Sequence, residues 1–191
     1  LTHLALKNPG RAIKHFAQSY KLDRQPGTAL NLSSAYIEAG DHAKAVKLLL
    51  ALLKTKEMKG YPHRERVFHN LAYANEHAGN KTKAEEWYQE AIDENPTFFP
   101  SHLELARLYE QTGRSAMAIK AYRRATDYCH ACFEPVYALS MLYMKTNMPA
   151  EARKILLSYG KMDGVAPGDR ERAQQLLRIV TTAGITTKKA G

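Results

Sequence analysis

Cys129-His130-Ala131-Cys132 is the stretch of this 191-residue chain whose residue types and spacing come nearest to side-chain chemistry, and it holds both cysteines. Two thiols separated by two residues can ligate a metal, attach a haem or cycle as a dithiol. Haem attachment needs a histidine after the second cysteine, and Phe133 stands there. A structural zinc needs four ligands, and only His130 and distant histidines could complete the set. A redox dithiol usually accompanies a fold that alternates strands and helices. Two readings stay open. The pair is reduced and fills space, or it is a short disulfide that staples a turn in an oxidising compartment.

Other catalytic constellations are missing from the sequence. Its eight histidines include no pair at metalloprotease spacing. There is no nucleophile elbow and no glycine-rich phosphate loop. Glu85, Glu86 and Glu90 fall at the spacing of an ordinary charged helix face. The chain therefore reads as a non-enzyme with no cofactor. The formal net charge of +9 would suit an acidic partner, a nucleic acid or an anionic membrane surface. The basic residues are scattered, without a long run or a nucleic-acid motif, so a solvated basic surface is the preferred reading. Hydrophobic content of 45% and charged content of 25% suit a folded chain. The longest apolar run, near residues 48–53, is too short to cross a bilayer.

The elements that would carry any site repeat along the chain. The residues around Gly79 recur around Gly113 with one constant offset. Leu71 and Leu105, Ala72 and Ala106 precede the glycines; Ala84 and Ala118, Tyr88 and Tyr122, Ala91 and Ala125 follow them. The same offset leads from Gly113 to Asn147, which stands in place of a turn glycine; asparagine tolerates the left-handed conformation well. The interval from Gly40 to Gly79 is longer, and the excess is assigned to a linker, Gly60-Tyr61-Pro62-His63-Arg64. Small residues let paired helices approach closely and large ones fill the gap to the next pair. No useful stretch alternates with period two, so no β-sheet is expected.

The pattern resembles the tetratricopeptide repeat, whose period is about 34 residues. It is carried here by Phe68, Leu71, Ala72, Gly79, Ala84, Tyr88, Ala91 and Pro96 in one copy, and by Leu105, Ala106, Tyr109, Gly113, Ala118, Tyr122 and Ala125 in the next. His102 departs from the aromatic position and Asn75 from the tyrosine position. The resemblance implies an all-α solenoid of antiparallel helix pairs wound into a right-handed superhelix. On that reading residues 1–25 are a partial repeat, with Leu1, Leu4 and Leu6 the remnant of its first helix. Full repeats are expected at 26–59, 65–98, 99–132 and 133–166. A capping helix follows at 169–183, capped by Asp169, with Ala173, Leu176, Leu177 and Val180 on one face. Residues 184–191 are expected to form a disordered tail. The chain begins with Leu1 inside a repeat, which suggests that a segment precedes it.

In such repeats the first helix of each pair lines the concave wall. That rule points Leu30, Asn31, Ser34 and Ile37 inward, then His69, Asn70 and Tyr73, then Leu103 and Arg107, and last Tyr137, Met141 and Met144. Apolar anchors with amides suit a protein or peptide segment, extended or as an amphipathic helix. Met141 and Met144 fit groove and core equally. Some relatives hold a chaperone's C-terminal carboxylate with basic residues and asparagines on this wall. Asn70 fits that cluster, but Leu30, Ser34, Pro100 and Glu104 do not, and Glu104 would repel a carboxylate.

The order of features is also similar to the type IV pilus pilotins. The residues concerned are Tyr61-Pro62, Asn70-Leu71, Gly79, Ala84-Glu85, Tyr88, the block from Pro100 through Leu108, and Ala152-Arg153. That likeness implies a scaffold that holds the pilus secretin subunit, on the periplasmic side of the outer membrane, tethered through a lipidation site upstream. Three other readings stand beside it: a cytoplasmic adaptor for a signalling or motility-control protein, the substrate-recognition repeats of a larger enzyme, and RNA binding by the basic surface.

Overall fold

A computed structural model describes residues 8–189 of the protein, with side chains to residue 182. The regular structure of the described residues is helical, without strand. In order they form α1 (Pro9–Asp23), α2 (Pro26–Glu38), α3 (His42–Leu53), a 3-10 turn (Lys56–Met58), α4 (Arg64–His77), α5 (Lys81–Glu94), α6 (Phe99–Gln111), α7 (Ser115–Tyr128), α8 (Phe133–Lys145), α9 (Pro149–Gly160) and α10 (Pro167–Lys189). The chain divides into two compact units, Leu1–Ser101 and His102–Gly191. The expected remnant at Leu1, Leu4 and Leu6 lies outside the described residues.

The sequence period reappears in the helix boundaries. α6, α8 and α10 begin at Phe99, Phe133 and Pro167, one period apart each time; so do α5, α7 and α9, at Lys81, Ser115 and Pro149. Each hairpin turns by the same device. Gly40, Gly79, Gly113 and Asn147 adopt φ of 78°, 84°, 75° and 58°. The next N–H then reaches back to the preceding helix: Asp41 to Tyr36, Asn80 to Asn75 and Arg114 to Tyr109 at 2.8 Å, and Met148 to Tyr143 at 2.7 Å. This six-to-one bond satisfies a carbonyl that the helix end would otherwise leave bare. Asn147 performs the glycine's task because its short polar side chain lowers the cost of positive φ.

In the first unit α1 starts at an Asn8 cap, whose Oδ1 accepts from the Arg11 N–H at 3.1 Å. Pro9 follows, where its missing N–H costs nothing. Ala29, Leu30, Leu49, Leu52, Met58, Val67 and Leu71 form the core, with Tyr20, Val46, Tyr61 and Trp87 packed against it. Met58 and Tyr61 come from the connection between α3 and α4, so this longer connection serves as filling. Arg64, assigned to the linker by sequence, is instead the first residue of α4; nothing after Pro62 prevents helix from starting there. Trp87 stacks on Phe68 with centroids 5.8 Å apart.

The repeated tyrosine of the outer helix solves the same problem in both units. Tyr88 is fully buried, and its hydroxyl donates to Glu76 at 2.8 Å. Tyr122, one period later, donates to Glu110 at 3.3 Å. A buried phenol needs a partner, and a glutamate near the end of the preceding helix supplies one in each case.

The second unit buries Leu139, Leu142, Tyr143, Leu156, Tyr159, Val165, Leu176 and Val180. α10 corrects the capping-helix expectation. It begins at Pro167, on the period set by α6 and α8, so Asp169 lies in the first turn and is not the cap. The helix runs to Lys189, so residues 184–189, expected in a disordered tail, are helical; no proline follows Pro167 to stop them. Residues 190 and 191 lie outside the described residues. Ala173, Leu176 and Val180 are buried, whereas Leu177 is half-buried. The Arg170 guanidinium donates to the carbonyls of Gly160 and Met162, which caps the end of α9 with a cation.

Cys129 and Cys132 are joined by a disulfide, with Cα atoms 5.3 Å apart. They close the turn between α7 and α8, where the Cys132 N–H donates to the Cys129 carbonyl at 3.1 Å. One repeat earlier, the Phe98 N–H donates to the Asn95 carbonyl at 3.0 Å with no cross-link. The Tyr159 hydroxyl also holds the Ala131 carbonyl, at 2.9 Å.

Candidate functional site

Two open pockets gather residues that the sequence singles out, one in each unit. In the first unit α2 packs beside α4. Together with the linker and the entry to α6 they surround a pocket of about 770 Å³. Leu30, Asn31 and Ser34 come from α2, His69 and Asn70 from α4. Both N–H bonds of the Asn70 amide are engaged: it donates to Ser33 Oγ at 3.0 Å and to Ser34 Oγ at 3.2 Å. The amide thereby ties two helices together and keeps a carbonyl oxygen able to accept from a ligand N–H.

His69 lines the same pocket and is largely enclosed. Its Nδ1 lies 3.0 Å from Ser101 Oγ, and its ring meets Tyr88 at 5.7 Å and the edge of Phe98 at 5.5 Å. Burial lowers its pKa to about 4, so the ring is neutral at pH 7 and offers shape and a hydrogen bond, not charge. Tyr73 and Ile37 are half-buried and do not line this pocket. Tyr73 stacks on His77 at 4.1 Å.

In the second unit α8 presents Tyr137 and Met141, 48% and 43% exposed, one helical turn apart over a pocket of about 660 Å³. Ala138 lies between them and leaves the floor open. Charged groups rim the pair, and they neutralise one another. Arg107 donates to Glu104 at 2.7 Å and to Glu134. Lys145 donates to Glu110 at 3.2 Å, and Glu110 also accepts from Tyr122. Burial alone would lower the pKa of Arg107, but Glu104 and Glu134 together outweigh it and raise it. Burial first, and the Glu110 charge second, push the Tyr122 phenol up.

Leu103 and Met144, like Ile37 and Tyr73, line neither pocket, and Arg107 reaches one only as a paired charge. Leu103 is 4% exposed and packs inside. Arg107 lines the pocket with its charge already bound by two carboxylates. Met144 is half-buried outside the pocket lining. A helix offers its inner stripe to the neighbouring helices before any groove, and ion pairing follows from which glutamates face it. The wall rule misses Arg66, Tyr61 and Phe98 in the first pocket, and Glu110 and Lys145 in the second. Arg66 sits one helical turn before Asn70, so helical spacing points to it. Tyr61 and Phe98 lie in connections, where no periodicity points.

Among the described residues no group of three or more His, Cys, Asp or Glu side chains could hold a metal ion. No helix among them is long and apolar enough to cross a membrane.

Residues 30–97 match a family model of the tetratricopeptide repeat, and residues 87–120 match a second model of that repeat. No curated protein matches the chain. Several solved structures share the fold. A thermophilic TPR protein of Thermus thermophilus superposes with a TM-score of 0.66 at 19% identity, covering 92% of this chain and 94% of that one. MamA from Desulfovibrio magneticus RS-1, residues 41 to the end, gives 0.64 at 14%, covering 87% of each. The pilF protein of Pseudomonas aeruginosa gives 0.63 at 16%, covering 85% and 72%. At these identities the likeness is one of fold.

Proposed function

We propose that this chain, whose residues 30–120 match models of the tetratricopeptide repeat, is a non-catalytic scaffold gripping a segment of another polypeptide. The observation that carries the reading is the Tyr137–Met141 pair. Two large apolar side chains stay exposed one turn apart, ringed by charges that already satisfy each other. Such a rim does not compete with a ligand for its own ions, and the apolar pair can anchor a partner side chain. The first-unit pocket, taken by itself, offers an asparagine carbonyl and a neutral histidine, groups suited to a polypeptide backbone.

The finer proposal is that the partner is a subunit of the type IV pilus secretin, as the pilotin-like features at Tyr61-Pro62, Asn70-Leu71 and Ala84-Glu85 imply. The disulfide supports an oxidising compartment, in keeping with the periplasmic side of an outer membrane. The test places a photo-crosslinking amino acid at Tyr137 and at Met141 in living cells and identifies the products by mass spectrometry. A secretin subunit is the expected product. A cytoplasmic signalling protein would replace the pilotin reading with the adaptor, and no crosslink from either position would sink the scaffold reading.

A further inference from the structure

The outer helices of the first unit carry an internal control. α3 and α5 occupy the same place in successive repeats, and their outward stripes can be aligned from the turn glycine. In α5 that stripe includes Glu85, Glu86, Glu90 and Asp93, as a solvated face should. In α3 the matching stripe is Ala43, Val46, Lys47, Leu50, Ala51 and Lys54. The acidic residues are gone, and Leu50 is 38% exposed.

The α3 stripe forms one wall of an open groove of about 590 Å³, closed on the other side by the end of α4 and the start of α5. Lys83 of α5 joins Lys47 and Lys54 at its edges, and no carboxylate lines it. Among the described residues none of these three lysines has an ion-pair partner. The groove therefore combines an apolar floor with uncompensated positive charge, the opposite of the balanced rim around Tyr137.

We propose that this groove docks an acidic amphipathic helix of another protein, its apolar ridge on Val46, Leu50 and Ala51 and its carboxylates toward Lys47, Lys54 and Lys83. Charge complementarity selects the sign of the partner and speeds the encounter. The concave shape admits a ridge of side chains but not the flat surface of a bilayer. No aromatic or arginine side chain lines the groove, so it lacks the platforms on which nucleic-acid bases stack. The acidic α5 stripe of a second copy carries no exposed large apolar side chain and would fill only half of the requirement. The site is separate from the inner pockets and does not rest on the function proposed for them.

The test is fluorescence anisotropy with a labelled peptide of about four helical turns that has leucines on one face and glutamates flanking them. An isomer with the leucines spread around the helix is the control. The amphipathic peptide should bind about tenfold tighter than the isomer, a difference of about 1.4 kcal/mol. Its affinity should fall several-fold between low and high salt. Lys47→Glu with Lys83→Glu, and separately Leu50→Asp, should each weaken it about tenfold or more, while Tyr137→Ala leaves it unchanged. All are surface positions, and unchanged circular dichroism and melting would confirm intact folding; if Leu50→Asp unfolds the protein, the lysine pair decides alone. Equal binding of both peptides, or indifference to the lysine substitutions, would overturn the proposal. So would substitution-sensitive binding to phosphatidylglycerol-containing vesicles without peptide binding, or self-association through this groove in sedimentation.

Discussion

His69 and Tyr137 stand two full periods apart and so occupy one position of the repeat. The same holds for Arg66 and Glu134, and for Asn70 and Ala138. Three positions that give arginine, histidine and asparagine to the first pocket give glutamate, tyrosine and alanine to the second. Histidine is enclosed and neutral; tyrosine is half exposed. The difference lies in what the following segment lays over the position. Phe98 and Ser101 cover His69. Their counterparts two periods on are Ala166 and Asp169, and neither is an aromatic lid. The repeat thus supplies a place, and the neighbouring segment decides whether that place becomes structure or surface.

The largest expected contrast is in acid. His69 has its pKa lowered to about 4 in the folded chain against 6.5 free. As pH falls the unfolded chain takes up the proton first. The stability tied to the neutral ring is complete above pH 6.5 and drains away between 6.5 and 4, to a total of about 3 kcal/mol. Trp87, the single tryptophan, lies in the same unit and reports its urea unfolding. His69→Gln should remove most of the pH dependence; a wild-type midpoint equal at pH 7 and 4.5 would contradict the buried, neutral ring.

Next in size is the disulfide of the second unit. Closing so short a loop removes little entropy from the unfolded chain, so Cys132→Ser should cost about 2 kcal/mol. Helicity should persist, because the turn at Asn95 forms without a cross-link. Loss of helicity on reduction would show that the turn depends on sulfur. Asn70→Ala deletes two hydrogen bonds from the first pocket and should cost about 1–2 kcal/mol in thermal melting.

Smaller effects belong to the second pocket. Arg107→Ala leaves Glu104 and Glu134 without their common partner, but the group is partly solvated, so the loss should stay below about 1 kcal/mol and shrink with salt. Tyr137→Ala should change stability by less than about 0.5 kcal/mol while abolishing capture of the partner. A variant that melts well below the wild type would move Tyr137 from the binding surface to the core and erase the contrast with His69.

Much of the architecture is legible from residue types alone. The spacing of Gly79, Gly113 and Asn147, and of Ala84, Ala118 and Ala152, points to hairpins and to close helix contacts. Asp169 resembles a cap and hides the true start of α10, although the period already points to Pro167. The site is less legible. Asn70, Tyr137 and Met141 reach pockets, whereas Leu103 turns inward and Arg107 is bound by carboxylates that the spacing rule could not weigh.

What the sequence by itself determined is the repeated hairpin. Positive φ at a glycine or asparagine, and the size of an alanine between helices, are local properties that act wherever those residues occur. Which of the equivalent positions are covered, and therefore which are neutral, paired or open to a partner, was decided only by tertiary structure. Burial depends on what a distant segment places above a side chain, and solvent access sets both its charge and its freedom to bind.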